Sequence, residues 1–237
     1  AYAKKRELSW QPARWLLVTV LASCVVHWFM PAYTAERPRD MNLMYREVAG
    51  QSEGFLVVES LYGRPDSDFV EENQFESRDI RASRLGRETR PVRSVPAQNL
   101  PGFAMTQRVA AEDGGLWRRT LELDLPADVS LFRLAIPGDS GFYKAWANGV
   151  LALDGGIETK HRQKDLSVVL IHPQEGRLTL ELLMESPQAV TVSAASWHPL
   201  SAVLTAPFMG YWPDDAQPNR FGPRAERIEE FTLEAAQ

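Results

Sequence analysis

The sequence predicts a mainly β protein, an antiparallel, jelly-roll-like β-sandwich preceded by one N-terminal transmembrane helix. Three observations carry that prediction. Residues 15–33, WLLVTVLASCVVHWFMPAY, contain no Asp, Glu, Lys or Arg. From residue 103 onward, short apolar or alternating runs follow one another, and their breaks carry Gly, Pro or Asp. In Leu121-Glu122-Leu123-Asp124-Leu125 and Leu178-Thr179-Leu180-Glu181-Leu182 one face is apolar and the other charged. Strands of that kind belong to antiparallel sheets with one wet side, and many short ones in succession make a sandwich or a barrel.

The elements follow in chain order. Residues 1–14 form a basic tip with Lys4, Lys5, Arg6 and Arg14. At ~1.5 Å per residue the uncharged run is roughly 28 Å long as a helix, close to the ~30 Å hydrocarbon core of a bilayer. Trp15 at one end and Trp28 and Tyr33 at the other stand where amphipathic rings prefer the headgroups. The basic flank should stay cytoplasmic. Residues 34–237 then face outward, which in a bacterial inner membrane is the periplasm. A cleaved signal peptide has the same layout, and Leu21-Ala22-Ser23-Cys24 spells a lipobox. The apolar residues that continue after Cys24, Val25 to Met30, favour a retained span over a lipidated cysteine. The opening Ala1 reads as an N-terminus trimmed of Met, with a fragment of a longer chain as the alternative.

Residues 34–39 are a polar linker. Met41, Leu43 and Tyr45 alternate with polar or flexible neighbours, and a second strand over 55–60 makes a hairpin with the first. Residues 63–100 are rich in Arg, Glu, Asp and Pro with little apolar periodicity. Apart from a short helix within 69–84, this stretch reads as an extended excursion that needs a partner surface to lie on. Strands are then expected at 103–110, 116–125, 130–136, 142–147, 166–171, 177–185, 189–195 and 228–233. An aromatic and proline-rich loop, 208–223, precedes the last of them.

Composition narrows the function classes. A formal net charge of −5 over 237 residues, with no basic stripe, argues against a nucleic-acid partner. Cys24 is the sole cysteine, so the exterior domain has neither a disulfide nor a thiolate ligand. His161, His172 and His198 show no metal-binding spacing. Neither a Gly-x-Ser-x-Gly elbow nor a Walker loop occurs. Adjacent carboxylates such as Glu71-Glu72 and Asp214-Asp215 read as solvated charges. A non-catalytic protein without metal is therefore expected.

His27 is the exception within the apolar run, because an intramembrane ionisable residue needs a partner. Ser23 lies one turn earlier, and this small-residue-to-His spacing resembles the single-span antenna polypeptides of photosynthetic bacteria. That resemblance implies a bacteriochlorophyll ligand. The alternative is a neutral imidazole bonded to a neighbouring helix. Tyr211 and Trp212, with Trp15, Trp28 and Tyr33, are the candidate partner contacts, since Trp and Tyr dominate interface hot spots.

Pro38-Arg39-Asp40-Met41-Asn42-Leu43-Met44-Tyr45 resembles the opening of the C-terminal exterior domain of membrane-bound zinc aminopeptidases, the group that includes the endoplasmic-reticulum metallopeptidase. Residues 120–125, 131–136 and 176–182 and the turn Trp146-Ala147-Asn148-Gly149 agree in type, so the likeness spans about 37–233. It implies a β-sandwich after a membrane helix. In that group the zinc chemistry sits in a separate N-terminal domain with no counterpart in these residues, and no catalytic residue carries over. The expected function is a single-span accessory subunit that scaffolds a larger complex of integral membrane proteins, such as a photosynthetic or other bioenergetic one. A remnant of the aminopeptidase group and a membrane-anchored carbohydrate-binding module are the alternatives.

Overall fold

A computed structural model describes residues 16–17, 19–20, 39–60, 65–82, 87–112, 114–154, 166–171, 173, 176–214, 216–217 and 223–235. Leu16, Leu17, Thr19 and Val20 are helical and exposed. The rest of the predicted span, including Trp15, His27, Trp28 and Tyr33, lies outside the described residues. Among the described residues no helix is long and apolar enough to cross a membrane.

The fold is mainly β, with the main strands in two sheets. The strands are β1 (Arg39–Asp40), β2 (Asn42–Val48), β3 (Glu53–Glu59), β4 (Glu76–Arg81), β5 (Arg87–Pro96), β6 (Ala104–Glu112), β7 (Leu116–Asp124) and β8 (Leu131–Pro137). They continue with β9 (Phe142–Ala147), β10 (Val150–Asp154), β11 (Leu166–Ile171), β12 (Arg177–Met184), β13 (Val190–Pro199), β14 (Ala216–Gln217) and β15 (Arg224–Leu233). Two short helices, α1 (Ser67–Glu72) and α2 (Ala202–Met209), complete the set. One sheet has eight strands in the order β11-β8-β13-β15-β2-β3-β5-β4, and the other has five, β10-β9-β12-β7-β6.

The ladders are antiparallel, as expected, with two exceptions. β15 runs parallel to β2, and the short β1–β14 pair is also parallel. Arg39–Asp40 lie beside Ala216–Gln217 in the small sheet and Met44–Val48 beside Arg224–Ile228 in the larger one, so β2 and β15, far apart in the chain, meet in the middle of the larger sheet.

Alternation places the cores. One face of the eight-stranded sheet presents Phe132, Leu134 and Ile136 from β8, Val192 and Ala194 from β13, and Leu233 from β15. These meet Leu121, Leu123, Leu178, Leu180 and Leu182 of the five-stranded sheet, which is the sandwich core. Farther along the same face the second sheet ends. There Met41, Leu43, Tyr45, Leu56 and Val58 are covered instead by Phe69 of α1, Phe75 and Phe208 of α2. The Phe69 ring stacks on Phe75 at 5.9 Å and meets Trp212 edge-on at 5.4 Å. Each such pair adds about 0.5–1.5 kcal/mol beyond its buried area.

The expected excursion over 63–100 is corrected by the structure. Its described part folds into α1, β4 and β5, and the two strands extend the larger sheet. Asp66 caps α1, its side chain accepting from the Phe69 amide at 2.7 Å. The charges that masked the strands are satisfied on the ribbon itself: Arg78 donates to Ser94 Oγ at 2.9 Å and Arg87 to the Asp79 carbonyl at 2.9 Å. Only Ile80 and Val92 are needed to seat the ribbon, against Met44 and Val57.

β10 was not expected as a strand. It forms because Asn148 and Gly149 take φ of 48° and 77°, the left-handed pair that a tight hairpin turn requires. The Asn148 side chain then fixes the turn by accepting from the Thr179 amide at 2.9 Å.

Candidate functional site

The densest chemistry lies on the other face of the eight-stranded sheet. Register brings together Arg46 on β2, Glu226 and Arg224 on β15, Trp197 on β13 and Arg133 on β8. Glu226 is completely buried. Its carboxylate accepts from Arg46 Nε at 2.7 Å, from Trp197 Nε1 at 2.9 Å and from Arg133 at 3.4 Å. The far side of the Arg46 guanidinium donates to Glu88 at 2.5 Å and to the Arg81 carbonyl at 3.0 Å, both on the β4–β5 ribbon. Arg224 pairs with Glu59 at 2.9 Å. The guanidinium carbons of Arg224 and Arg133 stand over the Trp197 ring at 4.2 and 5.1 Å, contacts worth up to about 2 kcal/mol when desolvated.

Burial alone would push the Glu226 carboxyl up. The attraction of Arg46, Arg133 and Arg224, together with the Trp197 hydrogen bond, outweighs it and holds the group below the usual glutamate range. Glu88 is likewise pushed up by burial and held low by its bond to Arg46. Arg46, Arg133 and Arg224, with Arg90 on the ribbon, thus share Glu226, Glu88 and Glu59, and each of these carboxylates is engaged by an arginine of the protein itself. This arrangement stabilises the sheet.

A second cluster has the order of a nucleophile–base–acid line. His198 Nδ1 lies 3.1 Å from Asp128 Oδ2, and Nε2 lies 3.0 Å from Ser196 Oγ. Asp128 when ionised only accepts, so Nδ1–H donates to it; in that tautomer of the neutral ring Nε2 is left to accept from the serine hydroxyl. Both Ser196 and His198 are 1% exposed, which leaves the hydroxyl out of reach of a substrate. The line ties the turn after β7 to β13, and Ser130 reinforces it by donating its amide to the Trp197 carbonyl at 2.9 Å. Sequence reasoning missed it because i and i+2 become neighbours only on a strand.

Exposed chemistry is of two kinds. On the outer face of the five-stranded sheet, Leu151 pairs across from Trp146, and the Arg118 guanidinium covers that indole at 5.3 Å. Arg118 is pinned by Glu112 at 2.6 Å and by Glu181. Val150 and Leu151 remain 70% and 49% exposed. The other kind is α2 with its following turn, where Val203 is 81% and Tyr211 61% exposed. Of the two aromatics predicted there, Tyr211 points to solvent and Trp212 packs inward against Phe69. A cleft of about 200 Å³ beside the β4–β5 ribbon is lined by Arg78, Arg81 and Arg87 over Phe55. Among the described residues no group of three His, Cys, Asp or Glu could hold a metal ion. His161 and His172 lie outside the described residues.

The fold and these clusters define the chain as a mainly β protein of two principal sheets. No protein-family model matches it, and no curated protein matches its sequence. Among solved structures it is similar to the Fcho1 Mu homology domain of Danio rerio, determined with a bound Eps15 peptide. That likeness has 9% identity over 81% of this chain and 94% of the other, with a TM-score of 0.28. A score this low carries no argument about function.

Proposed function

We propose that this protein is a non-catalytic accessory subunit, anchored by the span at 15–33, which scaffolds a complex of integral membrane proteins through its exterior β-sandwich. The observation that carries the reading is the outer patch of Trp146, Leu151 and Arg118. Arg and Trp dominate interface hot spots, and here the arginine is already held in place by Glu112 and Glu181. β10 is an edge strand whose first four residues, VLAL, carry no charge. Proteins normally guard such edges with charge, as β4 does with Glu76, Arg78, Asp79 and Arg81.

The buried polar groups support the same reading, since the arginine–glutamate layer and the Ser196 line are spent on the fold itself. Gentle detergent extraction tests the proposal. The chain should migrate with other membrane subunits, and Leu151→Arg should release it without lowering its thermal midpoint. A wild-type chain that extracts only as a free monomer refutes it. His27→Leu addresses the pigment reading separately: loss of a bound bacteriochlorophyll absorption band would support a ligand role for His27, and an unchanged spectrum would leave only the scaffold.

A further inference from the structure

The helix α2 lies on the surface yet has no polar face. From Pro199 through Trp212 to Pro213 the chain carries no Asp, Glu, Lys, Arg or His. Its inner side is occupied, with Leu204 and Phe208 packed in the cluster over β2 and β3. The outer side presents Ala202, Val203, Ala206 and Pro207 to solvent, followed by Tyr211. A surface helix normally turns charge outward. This one has none to turn.

Its place in the fold says what covers it. β14, which follows α2, is paired with β1, the first strand of the domain, and the Met41 amide donates to the Gln217 carbonyl at 3.1 Å. Met41, Phe208 and Trp212 belong to one apolar cluster. The point where the chain enters the domain and the α2 helix are therefore packed together. Only residues 34–38 separate that point from the uncharged run at 15–33, a reach of about 20 Å for the six steps from 33 to 39. In the described part of that run, Leu16, Leu17 and Val20 are helical and 70%, 60% and 51% exposed, so the domain does not shelter them.

We propose that the outer face of α2, with Val203 and Tyr211, lies in the headgroup–acyl boundary of the bilayer on the domain's own side. This second membrane contact rests on the reading of 15–33 as a span, and it fixes the tilt of the sandwich over the membrane. Because α2 carries no cation, the contact is apolar burial and needs no anionic lipid.

The test uses the full chain with Cys24→Ala, a nitroxide on Val203→Cys or on Tyr211→Cys, and phosphatidylcholine vesicles. Val150→Cys, 70% exposed on the β9–β10 turn, serves as the aqueous reference. Labels at 203 and 211 should be several-fold more accessible to oxygen than to a nickel chelate, relative to 150, and added phosphatidylglycerol should not change the ratio. A chain that stays with the vesicles through an alkaline wash while both labels behave like the reference overturns this contact and leaves the span intact. Labels shielded from both quenchers mean that a protein surface covers α2, which also overturns it. A chain stripped from the vesicles by the wash removes the span and the contact together.

Discussion

Glu226→Gln tests whether charge or shape holds the buried layer. The glutamine keeps the volume and an oxygen to accept from Trp197, whose Nε1 lies 2.9 Å from the carboxylate. What it loses is the charge facing Arg46 at 2.7 Å and Arg133 at 3.4 Å. Removing one partner of a buried ion pair costs about 3–5 kcal/mol, because the remaining charge is stranded. In a domain of this size about 1 kcal/mol moves the melting midpoint by roughly 2–4 °C, so a fall on the order of 10 °C is expected. The assay is thermal unfolding of the full chain in detergent, followed by circular dichroism. Arg177→Ala is the control: its 3.6 Å pair with Asp124 has side chains 89% and 74% exposed, and such pairs contribute at most about 1 kcal/mol. The double variant Arg46→Met with Glu226→Leu should be less destabilised than the sum of its singles, since the Arg46–Glu226 interaction itself is then lost once and not twice, while Glu88 and Arg133 each still lose a partner. A midpoint within about 2 °C of wild type for Glu226→Gln, or strict additivity in the double, would falsify the charge-pair account.

Acid should act through the same groups. Glu226 and Glu88 are held below the ordinary value of 4.5, so their contribution is full above that pH and is lost as pH falls through their folded values. The thermal midpoint should drop below pH 4.5, and Glu226→Gln should flatten that drop; parallel curves would refute the linkage. Tyr45 is shifted upward by burial and by its 2.7 Å hydrogen bond to Glu47. Its stabilising effect persists below the ordinary value of 10.0 and fades as pH rises toward the folded value, so spectrophotometric titration should show one tyrosine ionising late. Tyr45→Phe should cost about 1–2 kcal/mol in denaturant unfolding, since the hydroxyl also accepts from the Gln98 amide. Gly54→Ala should cost about 1–3 kcal/mol, because a Cβ there would overlap the Tyr45 ring. A Gly54→Ala variant as stable as wild type would contradict that packing. Ser196→Ala should lose about 1 kcal/mol, and a serine-directed phosphonate probe should leave the native protein unlabelled. Stoichiometric labelling at Ser196 would reopen a catalytic reading.

The alternating runs of the sandwich were legible because each strand there has one face in the core. Leu121, Leu123, Leu178 and Leu180 announce themselves at period two, and all four meet between the sheets. The β4–β5 ribbon was opaque for the opposite reason. Its residues are mostly charged, and their partners sit on the neighbouring strand, where local pattern cannot see them. α2 shows no 3.6-residue period because all its residues except Thr205 are apolar, and its last two residues fall within the stretch 208–223 that the sequence predicts as loop. The arginine–glutamate layer was hidden in the same way. In β2 and β15, Arg46 and Glu226 look like the solvent side of half-buried strands. The ribbon curls over that side and buries them, and its end is held by the Arg81–Glu230 pair.

The position of that layer follows from the topology. A hairpin fixes its own register through its turn, but β2 and β15 are parallel and separated by nearly the whole domain. No turn can align them. The Arg46–Glu226 pair supplies the missing constraint. A slip of one residue would set Glu226 against Tyr45 or Glu47 on strand β2, and turn its carboxylate away from Arg46. With Trp197 on the next strand also bonded to Glu226, one carboxylate reads the register of β13, β15 and β2 together. Its burial is costly in isolation; Arg46, Arg133, Arg224 and Trp197 offset that cost, and only one alignment of β2 and β15 brings Arg46 to it.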